Sequence, residues 1–247
     1  MTEYTLEIAV FTYKGAVAAQ QAGAHRIEFC ENPADGGTTP SFGSLQLVRK
    51  NISIPIFPII RPRAGDFLYS QAEFEIMEQD LLICKKLGFE GVVIGLLNED
   101  GSIDINRTSR LVELAYPMDV SFHRAFDRCL EPLLALKDVI ETGCCRILTS
   151  GQHPLAVDGA NLITQLVNAA NGAIEIMPGS GINSGNISMM AKKTGATNFH
   201  ASARNAIGSK MKFEVDSMNE SLGYMGVDQT EVKAMLAELA GLSSIKA

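Results

Sequence analysis

The sequence lacks the basic excess and the long apolar runs that would direct it to nucleic acid or to a membrane. Its 21 lysines and arginines are outnumbered by 28 aspartates and glutamates, which gives a net charge of −7. Nucleic acids and anionic lipid surfaces attract basic proteins instead. Apolar runs such as 92–97 are far shorter than the roughly 20 residues that cross a bilayer. Residues 1–4 carry no basic stretch, so we expect no signal peptide, and we predict neither a nucleic-acid nor a membrane partner.

Paired cysteines and strand lysines are also missing. The five cysteines are an odd number and include no CxxC pair, which indicates reduced thiols and a cytoplasmic location. No lysine falls within any segment that we expect to form a strand. This argues against a Schiff-base aldolase mechanism, which needs a lysine amine in the site.

Eight segments rich in β-forming residues recur through the 247-residue chain. They begin near residues 4, 25, 55, 91, 119, 146, 174 and 198, a spacing of about 28 residues that suits a βα unit. Helical patterns lie between them, and glycines such as Gly23 and Gly88 precede the next strand. Strict alternation repeated eight times predicts an α/β fold, a single (β/α)8 TIM barrel that occupies residues 1–247 as one domain.

The alternation within each strand predicts which side chains point into the barrel. The outward face of a parallel barrel strand lies beneath a helix and is apolar, so the polar positions point inward. Near the bottom of the barrel we expect a structural ion-pair network of Arg26, Arg146 and Glu175. A second inward group lies at or toward the C-terminal strand ends, where such barrels hold their active sites. It comprises Glu7, Glu28, Arg61, His123, His200 and Arg204.

The loop after the seventh strand reads MPGSGIN at 177–183. Small residues expose backbone N–H groups, and the helix that we expect to open at this loop adds positive potential. Gly179, Ser180 and Gly181, with Ser202 and Arg204 after the eighth strand, therefore form a candidate anion site. A plain tight turn is the alternative.

The loop after the third strand holds two arginines around a proline. Arg61 and Arg63 on either side of Pro62 suit bidentate binding of a carboxylate or phosphate. The alternative is a salt bridge between Arg63 and Asp66. We place Asp66 and the inward Ser150 among the candidate ligand-binding residues.

His123 and Asp127 follow the fifth strand with the same inward parity. They are candidates for an acid/base and its orienting partner, and a core histidine satisfied by its neighbours is the alternative. An enzyme hypothesis combines these groups. Glu7 or Glu28 would be the general base, a histidine the general acid, and two arginines the clamp for a small phosphorylated or carboxylated metabolite. A protein that binds such an anionic ligand without converting it is a further alternative.

Five segments closely resemble the CutC copper-homeostasis family. The similarity runs in order and at family spacing from the first strand to Arg204. The segments are RIEFC at 26–30, GGTTPS at 36–41, IRPRAGDF at 60–67, FHRAFD at 122–127 and RILTSG at 146–151.

The resemblance implies a cytoplasmic TIM-barrel protein, often a homodimer or larger homo-oligomer, associated with copper tolerance. It also implies Cu(I) binding through cysteines, with Cys30 as the metal ligand here and Met177 or a histidine as its partner. Family members commonly carry a cysteine in the first strand where this sequence has Ala9. By parity we expect Ala9 and Cys30 to be neighbours inside the barrel. Of the two thiols that would together suit soft Cu(I), this sequence therefore keeps only that of Cys30. The resemblance supplies no established reaction, and the copper and enzyme hypotheses both stay open.

Overall fold

A computed structural model describes residues 3–244 as eight successive β/α units, with a hairpin inserted into the last one. The barrel strands are β1 (Thr5–Val10), β2 (Arg26–Phe29), β3 (Ile56–Pro58), β4 (Gly91–Ile94), β5 (Asp119–Phe122), β6 (Arg146–Thr149), β7 (Glu175–Pro178) and β8 (Asn198–Ala201). The helices are α1 (Tyr13–Ala22), α2 (Phe42–Asn51), α3 (Gln71–Leu87), α4 (Ile105–Ala115), α5 (Pro132–Glu141), α6 (Ala160–Ala170), α7 (Ile187–Thr194) and α8 (Gln229–Ser244). The inserted hairpin consists of β9 (Arg204–Ile207) and β10 (Tyr224–Val227).

The eight barrel strands form two parallel four-stranded sheets that meet at two seams. Their orders are β3-β2-β1-β8 and β4-β5-β6-β7. At the first seam Ile59 forms a parallel bridge with Val93, and the Ile60 N–H donates to the Val93 carbonyl at 2.8 Å. At the second seam β7 lies against β8. This arrangement confirms the predicted (β/α)8 barrel.

Helix boundaries follow local sequence signals. Ser70 and Glu73 form a capping box at the start of α3, because the Ser70 hydroxyl accepts the Glu73 N–H while the Glu73 carboxylate accepts the Ser70 N–H. Gly23 ends α1 and Gly88 ends α3, both in the left-handed conformation that costs glycine little. These ends turn the chain promptly into the next strand.

The strand parity agrees with the predicted inward and outward faces. Leu6, Ile8 and Val10 of β1 are fully buried in the large apolar core between strands and helices. The alternate residue Glu7 lies at one level of the barrel with Arg26 of β2 and His200 of β8, its register partners. The polar interior is therefore organised in layers.

The lowest layer contains the predicted ion-pair residues Arg26, Arg146 and Glu175, and it also includes Glu7 as the partner of Arg26. Arg26 pairs with Glu7, and the Arg146 Nε donates to the Glu175 carboxylate at 2.7 Å. The Phe57 ring lies beneath both guanidinium groups, 5.2 Å from Arg26 and 5.5 Å from Arg146. Paired charges and one shared aromatic ring thus close the barrel floor, which offsets the cost of burying the charges.

The hairpin after β8 lies on the same side as the strand ends. β9 and β10 pair antiparallel, from Arg204 with Val227 to Ile207 with Tyr224. Exposed apolar side chains follow β9, among them Met211, Phe213 and Met218. Across the part of the chain that the structure describes, no helix is both long and apolar enough to cross a membrane.

The packed floor gives a direct test of the fold. A Cβ on Gly91 would lie 2.2 Å from the Phe57 ring, and two arginine guanidiniums pack on that ring. We therefore expect Gly91→Ala to lower the free energy of unfolding by about 1–3 kcal/mol or more, measured by urea denaturation. Gly43→Ala is the control, since its Cβ meets nothing within 4 Å, and we expect it to stay within about 0.5 kcal/mol of wild type. Equal effects of the two substitutions would contradict this packing.

Candidate functional site

A cavity of about 980 Å³ opens at the C-terminal ends of the strands, the end at which barrels of this type hold active sites. Its wall includes nine of the predicted site residues, namely Glu28, Arg61, Asp66, His123, Ser180, Gly181, His200, Ser202 and Arg204. Six others are not part of this wall, namely Glu7, Arg63, Asp127, Ser150, Gly179 and Cys30. The cavity therefore brings together carboxylate, imidazole and guanidinium groups from four strands or the loops that follow them.

Glu7, His200 and Glu28 form a buried chain from the barrel interior to the cavity wall. The Glu7 Oε1 lies 2.8 Å from the His200 Nδ1, and the His200 Nε2 lies 3.6 Å from the Glu28 Oε2. Each of the three residues is less than a tenth exposed. Glu7 thus fixes the imidazole ring, and the ring presents its other nitrogen to Glu28.

The surroundings separate the pKa values of the two glutamates. Burial alone would raise the pKa of Glu7, but the Arg26 charge and the contacts with His200 together hold it well below its usual value. Burial also raises the pKa of Glu28, and here it prevails, so that this pKa reaches about 7 with the Glu7 charge adding to the rise. Two carboxyl groups with such different affinities for a proton are characteristic of acid–base sites.

His200 holds a proton more tightly than an ordinary histidine. Burial alone would lower its pKa, but the hydrogen bond to Glu7 and the nearby Glu28 raise it above the usual value. The imidazole therefore carries its Nδ1 proton toward Glu7 and stabilises negative charge on Glu28.

His123 has the opposite character. Burial, with the positive charge of Arg61, lowers its pKa to about 3. Its Nδ1 accepts a hydrogen bond from the Ala125 N–H at 3.1 Å, so the proton of the neutral ring is on Nε2. That Nε2 has no hydrogen-bond partner among the described residues. His123 is therefore a neutral donor at the cavity wall.

The predicted pairing of His123 with Asp127 is wrong. The Asp127 carboxylate accepts hydrogen bonds from the Arg124 Nε at 2.8 Å, the Thr149 hydroxyl at 2.6 Å and the Ser150 N–H at 3.0 Å. Ser150 is fully buried, and its hydroxyl also bonds to Asp127. The 3-10 helix Arg124–Arg128 turns the Asp127 side chain away from His123 and toward the loop after β6. Asp127 and Ser150 therefore join two loops.

Arg61 and Arg63 have different environments. Arg61 is buried, and its Nη1 donates to the carbonyls of Asp35 and Gly37 at 2.7 Å while its Nη2 donates to the Gly65 carbonyl at 2.9 Å. Arg63 instead pairs with Asp66 at 2.8 Å and also with Glu73. The alternative of a salt bridge between Arg63 and Asp66 is thus the one observed.

The loop after β7 does not open a helix. Helix α7 begins only at Ile187, because the Asn186 Oδ1 accepts the Asn183 N–H and the Asn183 Oδ1 accepts the Gly185 N–H. The Ser180 hydroxyl donates to the Pro154 carbonyl at 2.7 Å. The predicted helix terminus behind Gly181 is therefore wrong, although Ser180 and Gly181 do line the cavity.

Arg204 lies across the cavity mouth in β9. It is exposed, and its guanidinium stacks 4.7 Å above the Phe11 ring. Neither Glu7 nor Glu28 neutralises Arg61 or Arg204. Glu7 pairs with Arg26, and Glu28 faces His200.

The donors around Cys30 do not fit a resident copper centre. Cys30 is 1% exposed and packs in a cluster with Phe57, Ile59 and Val93. Burial, with the Glu28 charge, raises the pKa of its thiol well above the usual value, whereas the thiolate is the form that binds metal. The Met177 sulfur accepts a hydrogen bond from the Arg26 Nη2 at 3.4 Å. A cationic donor therefore already engages one of the two lone pairs of this sulfur.

Two further observations bear on the metal prediction. The register of β1 and β2 places Ala9 opposite Glu28, two residues before Cys30 on the same inward face. Within residues 3–244, no group of three or more histidine, cysteine, aspartate or glutamate side chains is arranged to hold a metal ion.

Phe67 is a cavity residue that the sequence reasoning did not single out. Its ring lies 5.1 Å from the Arg61 guanidinium carbon and 4.9 Å from the His123 ring centroid. The only available signal was an aromatic residue ending the loop after the third strand. That pattern does not distinguish a cavity wall from ordinary packing.

Comparison with known proteins connects this site to one family. The model of the CutC family matches residues 4–205. A Chromobacterium violaceum protein of the CutC family is 47% identical, with 91% of this chain and 90% of the relative covered. The mouse copper homeostasis protein cutC homolog is 45% identical, with 90% and 82% covered.

Solved structures agree on the fold. A CutC protein from Streptococcus agalactiae is 29% identical and superimposes with a TM-score of 0.77, over 80% of this chain and 98% of that one. Phosphoribosylanthranilate isomerase from Thermotoga maritima gives a TM-score of 0.61 at 10% identity, over 96% and 99%. At that identity the isomerase shares only the barrel fold.

The raised pKa of Glu28 predicts a pH-dependent stability. A carboxyl group whose pKa rises from 4.5 to about 7 on folding stabilises the fold fully below pH 4.5, and that contribution is lost as pH rises through 7. The Glu28→Gln variant has no titrating carboxyl group at this position, so its stability does not fall in this way as the pH rises. We expect its free energy of unfolding, relative to wild type, to increase by about 1 kcal/mol or more between pH 5 and pH 8.

Urea denaturation at both pH values measures this difference. Glu78→Gln, which removes a surface partner of Arg110, is the control and should run parallel to wild type. A Glu28→Gln curve that also runs parallel to wild type would show that Glu28 titrates normally.

Proposed function

The chain belongs to the CutC family, and on that premise we propose that it serves copper homeostasis through acid–base chemistry on a small anionic ligand in the barrel cavity. The mouse and human relatives, 45% and 44% identical, are named copper homeostasis protein homologs. That naming supports the cellular role. The side chains of the cavity support the chemical one.

The observation that carries the proposal is the Glu7–His200–Glu28 chain. Glu28 lies on the cavity wall with a pKa near 7, so it can take and return a proton at neutral pH. Glu7 does not reach the cavity wall and acts as a positioning residue, because it fixes the His200 ring. His200 then stabilises the negative charge of Glu28 whenever Glu28 is in its carboxylate form.

The opposite wall supplies groups for the negative charge that proton removal creates. His123, as a neutral donor, suits an oxygen that becomes negative in the transition state. Arg61 inside the wall and Arg204 at the mouth would attract an anionic ligand. The reaction class that fits is proton transfer at a carbon next to a carbonyl, with Glu28 as base and His123 as oxyanion donor.

Cu(I) binding is the second candidate function, and Cys30 is its predicted ligand. The buried, protonated thiol and the cationic neighbour of Met177 disfavour it. A protein that binds the anionic ligand without converting it is the third.

A cytoplasmic location is supported by five free cysteines. A homo-oligomer is supported by the exposed apolar segment after β9.

Competition against a Cu(I) chelator tests the copper role of Cys30. Since a buried thiol with a raised pKa gives the metal no ready thiolate, we expect Cys30→Ser to change Cu(I) affinity by less than about threefold. Cys84→Ser, at a buried helical cysteine, is the matched control. A tenfold or greater loss in Cys30→Ser alone would establish Cys30 as a copper ligand.

Deuterium exchange tests the acid–base role. Pyruvate and 2-oxobutyrate carry both a carboxylate and a proton next to a carbonyl, and in D2O a base that removes this proton returns a deuteron. We expect wild type to catalyse exchange and Glu28→Gln to be slower by about 10²–10⁴-fold, as followed by proton NMR. Glu78→Gln should match wild type. If wild type exchanges neither compound faster than Glu28→Gln, this reaction class is wrong for the site.

A further inference from the structure

We propose that Arg61 and His123 together form a carboxylate-binding subsite on the wall after β3 and β5, and that the Phe67 ring covers it until a ligand enters. The inference deepens the proposed function, because it names the ligand class and the wall that receives it. It rests on the same cavity but on different side chains from the Glu28 chemistry.

Arg61 carries a buried positive charge that no carboxylate pairs with among the described residues. Arg26 has Glu7 and Arg146 has Glu175, whereas the partners of Arg61 are three backbone carbonyls and the neighbouring Tyr69 hydroxyl. Carbonyls fix the guanidinium in place but leave its charge uncompensated, and a buried uncompensated charge is costly. An anion in the cavity would supply the missing charge.

Two buried donors point to where that anion would bind. The His123 Nε2 has no hydrogen-bond partner among the described residues, and the Arg61 Nε has none at close range, with the Tyr69 hydroxyl as its polar neighbour. Unsatisfied buried donors are rare in folded proteins. Here both belong to residues of the cavity wall, so a ligand oxygen could satisfy each of them.

The Phe67 ring packs against both groups. It lies 5.1 Å from the Arg61 guanidinium carbon and 4.9 Å from the His123 ring centroid. The backbone at Phe67 is held in place, because its carbonyl accepts the Leu97 N–H at 2.9 Å. The ring itself is partly exposed and faces a cavity of about 980 Å³. A rotation of the side chain, without movement of the loop, would therefore uncover both donors.

The charges of the site favour a carboxylate over a phosphate. Arg61 brings one positive charge and the neutral His123 brings none, which matches a monoanion. Glu28, on the neighbouring strand β2 of the same cavity, repels a dianion more strongly than a monoanion. The loop after β7 adds no helix terminus, since α7 begins only at Ile187.

The test is an NMR titration with acetate and with inorganic phosphate, observed at the imidazole nitrogens. The chain has only four histidines, so the His123 Nε2 resonance is readily assigned by substitution. We expect acetate to shift this resonance in wild type and phosphate to bind more weakly. Phe67→Ala should bind acetate about threefold or more tightly, because no ring then competes for the position.

Arg61→Gln should weaken acetate binding by about tenfold or more, since a charge-assisted hydrogen bond is lost. Arg110→Gln, on an exposed surface pair, is the matched control and should bind acetate as wild type does. If Arg61→Gln fails to fold, the tighter binding in Phe67→Ala still decides, because a merely structural ring would give no gain. An unmoved His123 resonance in both wild type and Phe67→Ala, or phosphate binding as tight as acetate, overturns the proposal.

Glu28→Gln separates this inference from the proposed function. It should keep acetate binding while it loses deuterium exchange. Acetate binding without any exchange in wild type would leave the subsite standing and contradict the acid–base function.

Discussion

The charge on the buried Glu7 carboxylate is the constraint on which the rest of the site depends. A carboxylate that is 1% exposed would be neutral without a cation beside it, and Arg26 supplies that cation from the neighbouring strand. Once ionised, Glu7 fixes the ring of His200, and the ring in turn faces Glu28. The floor of the barrel therefore determines the proton affinity of a group at the cavity wall, although the floor itself contacts no ligand.

The cavity has two chemically different walls. Strands β1, β2 and β8 carry the glutamates and His200, whereas the loops after β3 and β5 carry Arg61 and the neutral His123. The pKa values of the two histidines thus shift in opposite directions, because His200 lies between carboxylates while His123 lies near a guanidinium. The cavity thus presents a carboxyl group of raised pKa from β2 and nitrogen donors from the loops after β3 and β5.

The sequence predicted the barrel and the inward residues, because the βα period and the two-residue alternation of a strand are encoded locally. It could not predict the hydrogen-bond partners of these side chains, since a side chain that points inward can still adopt several rotamers and contact several neighbours. Asp127 shares the parity of His123, yet the 3-10 helix after β5 directs it to Ser150. The delayed start of α7 depends on hydrogen bonds of Asn183 and Asn186, which a glycine-rich motif does not reveal. Phe67 matters only because Arg61 and His123 converge on it from separate loops.

The barrel alone does not determine the chemistry, as the shared fold with a 10% identical isomerase illustrates. What distinguishes this cavity is the hardness of its donors. Ala9, opposite Glu28, contributes only a methyl group to the wall, and the buried thiol of Cys30 packs against an apolar cluster beside Glu28. The groups that remain are carboxylates, imidazoles and guanidiniums, which recognise protons and oxygen anions rather than a soft metal ion. A link to copper homeostasis in this chain is therefore more consistent with chemistry on an organic anion than with storage of the metal.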